Sequence, residues 1–138
     1  MNLDNVIQLI SKKASMASTL GMRFISTPEP DTCEAEMKVD EHSRQPFGYI
    51  SGGASVALAE TLAGVGTLAL CPGQLGVGTN IQANHLAPVS EGDVVHAVAH
   101  ILHQGHSLHV WQVSLYDGKG TLACVVQVTN FLMPFPHQ

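Results

Sequence analysis

Glu60 is the only charged residue in the apolar segment Gly52–Leu70, which reads GGASVALAETLAGVGTLAL. A helix of this composition is apolar on nearly every side, so we expect it to run through a core. A carboxylate in such a place costs free energy unless it is hydrogen-bonded or paired. An acid of this kind beside a cleft can attack a carbonyl carbon or take a proton from water. Glu60 is therefore the first candidate for a catalytic residue.

Backbone amides offer the second half of this chemistry. Gly52 and Gly53 open the predicted helix, where the first N–H groups have no intrahelical partner and no Cβ shields them. The positive end of a helix suits an oxyanion or a polarised carbonyl. Gln45 lies in the preceding loop and can present its amide to the same place. Amide donors and a carboxylate on one helix predict acyl transfer or hydrolysis.

The rest of the chain predicts the elements that hold this helix. A first helix is predicted over residues 1–21, with Gly21 as its C-terminal stop. Period-two alternation, which is typical of strands, occurs at about 22–26, 33–39, 76–87, 94–102, 108–116 and 122–132. One long apolar helix against five or six antiparallel strands is an α+β domain whose sheet wraps around the helix. We expect a single domain over residues 1–138.

The segment from Gln45 to Thr61, QPFGYISGGASVALAET, resembles the signature of hotdog-fold acyl-CoA thioesterases, commonly QPFGxxHGGASxxLAE. Similarity to the 4-hydroxybenzoyl-CoA and 1,4-dihydroxy-2-naphthoyl-CoA thioesterases continues at 77–78, 81–85, 88–92, 102–105 and 110–112. The resemblance thus covers almost the whole chain. It implies the hotdog fold, in which an antiparallel sheet wraps one long buried helix. It also implies hydrolysis of an aryl- or related acyl-CoA to a free acid and coenzyme A, without metal or organic cofactor.

The resemblance assigns roles to individual residues. The helix glutamate of the family is the nucleophile or general base, the first helix glycine polarises the thioester carbonyl, and the loop glutamine positions carbonyl or water. These roles fall on Glu60, Gly52 and Gln45. Two positions depart from the family pattern: Ser51 replaces a histidine, and Gly64 replaces a serine or threonine. Since serine cannot carry charge near neutral pH, the departures imply slower turnover or a different acyl preference.

Further positions are assigned to substrate binding by the same resemblance. Thr61 offers a hydroxyl in partial replacement of the one missing at position 64. Phe47 and Tyr49 are expected in the wall of the acyl pocket. His85 either lines the channel for the pantetheine arm or fills a strand position. The nucleotide end of coenzyme A is expected to contact Gly105, His106 and Ser107.

Helix geometry predicts that two chains share each site. Gly52 and Glu60 are separated by about 12 Å along one helix, since each residue adds about 1.5 Å. One thioester carbon therefore cannot reach both. Two such helices, antiparallel about a twofold axis, would bring Gly52 of one chain beside Glu60 of the other. Small residues are expected to permit the approach: Ala57, Ala59, Ala63 and Gly64. Family resemblance also favours a homodimer with shared sites, assembled into a homotetramer.

Composition bears on other partners and on location. The net charge is −5 and the six lysines and arginines form no run, which argues against a nucleic-acid partner. No uncharged run combines membrane-spanning length with sufficient hydrophobicity, so no membrane is expected as a partner. Cys33, Cys71 and Cys124 are odd in number and far apart, as is typical of reduced core residues in a cytoplasmic protein.

Three other interpretations fit parts of the sequence. A metal site is suggested by five histidines, His96, His100, His103, His106 and His109. No cysteine or carboxylate completes a tetrahedral set with them, so no metal is expected. A hydratase or dehydratase on the same scaffold would place a His–acid pair at the site, where this chain has Ser51. A non-catalytic acyl-CoA-binding domain is the third alternative, and it draws its support from Ser51 and Gly64.

Overall fold

The computed structural model describes residues 1–136. Within these residues three helices and six strands follow one another: α1 Asp4–Ile10, α2 Met16–Thr19, β1 Arg23–Ile25, β2 Thr32–Lys38, α3 Gly52–Leu70, β3 Gln74–His85, β4 Val94–Gln104, β5 Leu108–Tyr116 and β6 Leu122–Pro134. The strands form one antiparallel sheet in the order β1-β2-β4-β5-β6-β3. Helix α3 packs against this sheet, which confirms the predicted α+β hotdog arrangement.

Helix α3 has the bounds of the apolar segment from which it was predicted. Its inner side is buried against the sheet through Leu58, Leu62 and other apolar residues. By length and composition α3 could also cross a membrane, since an eighteen-residue window that includes Glu60 has a mean hydropathy of 1.4. Within the fold 56% of that window is buried. Packing against the sheet therefore accounts for the apolar composition of α3.

The N-terminal region is not the single helix that was predicted over residues 1–21. It contains two short helices, α1 and α2, separated by residues 11–15. Ser15 is extended and begins α2 in a capping box, because the Ser18 hydroxyl accepts a hydrogen bond from the Ser15 amide at 2.9 Å. This local cap starts a new helix, which the apolar spacing alone does not reveal. Gly21, with φ of +72°, ends the region as expected.

A buried polar cluster fastens the C-terminal half of α3 to the sheet. The Thr67 hydroxyl accepts hydrogen bonds from Trp111 Nε1 at 2.9 Å and from Asn130 Nδ2 at 3.3 Å. The same hydroxyl lies 3.0 Å from Nδ1 of His109, which is fully buried. Burial lowers the pKa of His109, with a smaller effect from His103, and so favours the neutral ring. The cluster fixes how α3 lies on the sheet, and with it the direction of every side chain on α3.

Candidate active site

A pocket of about 330 Å³ lies where α3 begins, between the preceding loop and the end of β3. Its lining residues are Gln45, Tyr49, Ile50, Gly52, Ser55, His85, Leu86, Ala87, Pro88 and Ala123. The pocket thus brings together three of the predicted site residues: Gln45, Gly52 and His85. We call this the amide pocket, after the N–H group of Gly52, which belongs to its lining.

The first turn of α3 leaves two backbone donors free. Ser51 is extended, with φ of −68° and ψ of 134°, and its amide is bonded to the Ser43 carbonyl at 2.8 Å. Its carbonyl accepts from Ala54 at 3.0 Å, which closes the first turn. Within residues 1–136 the N–H groups of Gly52 and Gly53 have no hydrogen-bond partner. A helix start with two unpaired amides can receive a carbonyl oxygen or an oxyanion.

The loop before α3 holds Gln45 in a defined orientation. The Gln45 amide donates to the Tyr49 carbonyl at 2.7 Å, and Gly48 turns the chain with φ of +89°. The side-chain oxygen of Gln45 accepts a hydrogen bond from the Phe47 amide. The side-chain NH₂ group is therefore the end of Gln45 that remains available. In the amide pocket this group can donate to a carbonyl or to a water molecule.

Glu60 does not lie inside the core as its apolar surroundings predict. It is half-buried and does not line the amide pocket. Among the described residues its carboxylate has no hydrogen bond and no ion pair. Its Oε1 lies against the backbone of Gly78 on β3, so close that a Cβ at position 78 would overlap with it. The absence of a side chain at Gly78 thus makes room for the carboxylate.

A β-bulge beside Gly78 marks the same place. The register between β3 and β6 shifts between Gly78 and Asn80, so Thr79 is the extra residue. Bulges are common at sheet edges and next to active sites, where they redirect the strand. Since β3 is an edge strand, Glu60 lies near an open edge of the sheet.

Gly78→Ala is expected to lower kcat by at least about tenfold without loss of stability, because a displacement on the order of 1 Å at a reacting group is costly. The added methyl group would meet the flexible end of Glu60 and push the carboxylate aside. Turnover and melting temperature of purified protein measure the two effects. Gly118→Ala is the matched control, since its Cβ would meet the Asp93 carboxylate in the same way in the β5–β6 turn. An unchanged kcat in Gly78→Ala would contradict the role of Glu60.

The remaining site residues predicted on α3 and in the loop before it do not line the amide pocket. The Thr61 hydroxyl donates to the Ala57 carbonyl at 2.6 Å and is therefore occupied within the helix. Gly64 faces open space, with nothing within 4 Å of a Cβ built on it. Phe47 is 84% exposed and lies outside the amide pocket. Ser51 lines a neighbouring groove, on the other side of the helix start from the amide pocket; that groove is formed with Met16, Thr19, Leu20, His42, Arg44, Gly53, Ala54 and Ala57.

Gly105, His106 and Ser107 lie at the opposite end of the sheet from the amide pocket. They form the turn between β4 and β5, whereas the pocket lies at the end where His85 pairs with Cys124. Gly105 is bonded to the Leu108 carbonyl at 2.9 Å, and Ser107 accepts from Leu132 at 2.9 Å. Within one chain these residues therefore cannot act together with Gln45 and Gly52.

Possible metal ligands are found at the surface. Among residues 1–136, one group of potential ligand atoms lies within 4.8 Å of one another, on Asp40, Glu41 and His42. Exposed acidic groups of this kind are common without a metal. His96 Nε2 instead pairs with Glu34 across β4 and β2, and His100 Nε2 lies 2.8 Å from Asp31. The hydrogen bond with His100 lowers the pKa of Asp31. These two histidines therefore have carboxylate partners on the outer face of the sheet.

Two residues that contact the predicted site are not among the site residues predicted from the sequence. Gly78 accommodates Glu60, and Cys124 lies 3.5 Å from Nδ1 of His85. Both contacts depend on the pairing of β3 with β6 and on the way α3 crosses β3. A glycine inside a strand pattern is the one signal that could have indicated a close approach at position 78.

Sequence comparison identifies the family. The sequence pattern of the thioesterase superfamily matches residues 47–124, more than half of the chain. A 1,4-dihydroxy-2-naphthoyl-CoA hydrolase from Escherichia coli is 39% identical over 122 residues, which cover 88% of this chain and 88% of that protein. A proofreading thioesterase from Cronobacter turicensis is 42% identical over 120 residues, with 86% of each chain covered.

Structural comparison agrees with the sequence. A thioesterase from Haemophilus influenzae superposes with a TM-score of 0.87 at 38% identity, covering 100% of this chain and 94% of that chain. The likeness therefore extends over α3 and the whole sheet. The chain belongs to the thioesterase superfamily and is a hotdog-fold thioesterase, an enzyme that hydrolyses thioesters.

Proposed function

We propose that this thioesterase hydrolyses an aryl-CoA or a related acyl-CoA to the free acid and coenzyme A. The observation that carries the proposal is that one helix, α3, holds both unbonded backbone amides at its start and a carboxylate that has no partner among the described residues. The Gly52 amide, which lies in the lining of the amide pocket, suits the carbonyl oxygen of a thioester. Glu60 suits the attack on its carbonyl carbon, and Gln45 lies beside the amides.

The reaction needs no group beyond these and water. The Gly52 amide polarises the carbonyl, and negative charge gathers on its oxygen as the carbon becomes tetrahedral. Glu60 either attacks the carbon itself or removes a proton from the water that attacks. The C–S bond breaks, the thiolate of coenzyme A leaves and takes up a proton, and water supplies the hydroxyl of the acid. In the hydratase alternative a His–acid pair would be needed, whereas the Nδ1 partner of His85 is the Cys124 thiol.

The site that we propose is shared between two chains. Glu60 lies away from the amide pocket of its own chain, and about 12 Å along the helix separates it from Gly52. An antiparallel partner helix would bring the two together. Ala59 and Ala63, which were expected at that contact, are fully buried inside the chain, so that part of the prediction is wrong. Other residues of α3 are exposed or half-buried and so open to a partner, among them Gly53, Val56, Ala57, Glu60, Thr61 and Gly64.

A partner chain would also explain the position of the β4–β5 turn. Gly105, His106 and Ser107 lie at the end of the sheet remote from the amide pocket. In an antiparallel dimer that end of one chain faces the pocket end of the other. We propose that these residues contact the nucleotide end of coenzyme A bound by the partner. A homotetramer built from two such dimers, in a reducing cytoplasm, is the proposed working form.

The choice of an aryl substrate rests on the Escherichia coli relative. That protein is a 1,4-dihydroxy-2-naphthoyl-CoA hydrolase, and its identity of 39% extends over most of both chains. Tyr49 and Ile50 line the amide pocket here, which supports an acyl group with a flat apolar surface. Ser51, where the family has histidine, changes the polar surroundings of the helix start, so the acyl preference of this chain need not be that of the relative.

Release of thiol from benzoyl-CoA, acetyl-CoA and palmitoyl-CoA tests the proposal. We expect kcat/KM for benzoyl-CoA to exceed that for the two aliphatic substrates by at least about tenfold, since one well-filled apolar pocket discriminates to roughly that extent. A preference for palmitoyl-CoA would contradict the aryl assignment. Absence of release from all three, with binding of benzoyl-CoA by calorimetry, would instead support a non-catalytic binding domain.

A further inference from the structure

We infer that His85 is a second donor to the thioester carbonyl, and that Cys124 holds its ring in position for that role. The inference rests on the proposed function of the amide pocket and adds a catalytic residue to it. In the sequence His85 was open to two interpretations, as a lining residue of the pantetheine channel or as a strand residue. The contacts of its ring favour a third.

The ring of His85 lies at the start of α3, on the side where the free amides point. A Cβ built on Gly52 would be 3.1 Å from Nε2 of His85 and 3.3 Å from Cε1. In a helix the Cα–Cβ bond tilts toward the N-terminus, and the first N–H groups point in the same direction. Nε2 and the Gly52 amide therefore face the same small space. A carbonyl oxygen in that space has two lone pairs and can accept from both.

The other ring nitrogen is occupied by a buried thiol. Sγ of Cys124 lies 3.5 Å from Nδ1 of His85, and the cysteine is 1% exposed. Burial raises the pKa of the Cys124 thiol, so it stays protonated at neutral pH. The S–H group can donate to Nδ1, and the neutral ring then carries its proton on Nε2. If the ring is itself protonated, Nε2 still carries a proton. In both states the nitrogen that faces Gly52 is a donor.

The pairing of the strands keeps this arrangement in place. His85 is the last residue of β3 and is opposite Cys124 in the register with β6. The next residues are bonded to the same strand, since the Leu86 amide donates to the Ala123 carbonyl at 2.7 Å. The ring is thus fixed by backbone pairing on one side and by Gly52 on the other. Its position also gives a reason for glycine at position 52, because a larger residue would press on the imidazole.

Kinetics of position 85 variants with benzoyl-CoA test the inference. His85→Leu removes the donor and is expected to lower kcat by about 30- to 100-fold, near the range measured for loss of one oxyanion donor. KM should change by less than about threefold, since the donor acts mainly when charge develops on the oxygen. His85→Gln should retain at least about ten times the kcat of His85→Leu, because the glutamine amide can donate from nearly the position of Nε2.

Variants of Cys124 test the role of His85 further, because kcat should not depend on Cys124 if His85 only fills the channel. Cys124→Ala removes the group that orients the ring, so kcat should fall while KM stays unchanged. Cys124→Ser should restore kcat, because its hydroxyl can donate to Nδ1. Melting temperatures of all four variants serve as the control for folding.

The outcomes separate this inference from the proposed function. No turnover by the wild-type enzyme would contradict both. Wild-type turnover with an unchanged kcat in His85→Leu would overturn only the inference. Equal losses in His85→Leu and His85→Gln, or a change confined to KM, would also overturn it, since those results belong to a residue that merely fills the channel.

Discussion

Glu60→Gln is expected to lower kcat by more than about 100-fold and to leave the fold intact, because loss of a general base or nucleophile has effects of this size. Glutamine has nearly the shape of glutamate, but it can neither attack a carbonyl carbon nor accept a proton. The carboxylate has no hydrogen bond or ion pair among the described residues, so the amide breaks no existing contact. The site next to Gly78 can hold either side chain.

Thiol release from benzoyl-CoA measures the expected loss of kcat. Thermal unfolding measures whether the fold is intact. Glu29→Gln is a suitable control, since Glu29 is exposed in the turn between β1 and β2, far along the chain from α3. It removes one negative charge from the same protein without touching the helix. Retention of more than about a tenth of wild-type kcat in Glu60→Gln would exclude Glu60 as the central residue.

The sequence was sufficient for the elements whose pattern is local. Helix α3 was predicted with its observed bounds, because an apolar run with a single charge, Glu60, opens at two glycines and closes before Pro72. Strand β5 was predicted over 108–116, where it is found, since buried and exposed residues alternate through it. The family motif placed Gln45 and Gly52 in one site, and the structure brings them into one pocket.

Features that depend on distant contacts were not predictable in this way. Pairing of β3 with β6 joins segments separated by two strands and three connecting segments, and no local pattern distinguishes it from pairing with β4. The contacts of Glu60 with Gly78 and of His85 with Cys124 both follow from that pairing. The burial of Glu60 was overestimated because its carboxylate lies beside β3, an edge strand, where the sheet covers the helix only in part.

Heterodimers of differently tagged chains test whether each active site is assembled from two chains. One chain carries Gln45→Ala and the other Glu60→Ala, and two successive affinity steps isolate the mixed dimer. If each site takes Gln45 from one chain and Glu60 from its partner, the mixed dimer has one intact site. It should then recover about half of the wild-type activity, while each homodimer stays nearly inactive.

The matched control is a heterodimer of wild-type chain with a chain that carries both substitutions. It contains the same two substitutions, but every shared site now lacks one group, so the account predicts almost no activity. A site contained within one chain gives the reverse pattern, with no activity in the first heterodimer and about half in the second. Half-activity in the first and none in the second is the predicted result; the reverse, or a purified enzyme that is monomeric and active, would contradict the shared site.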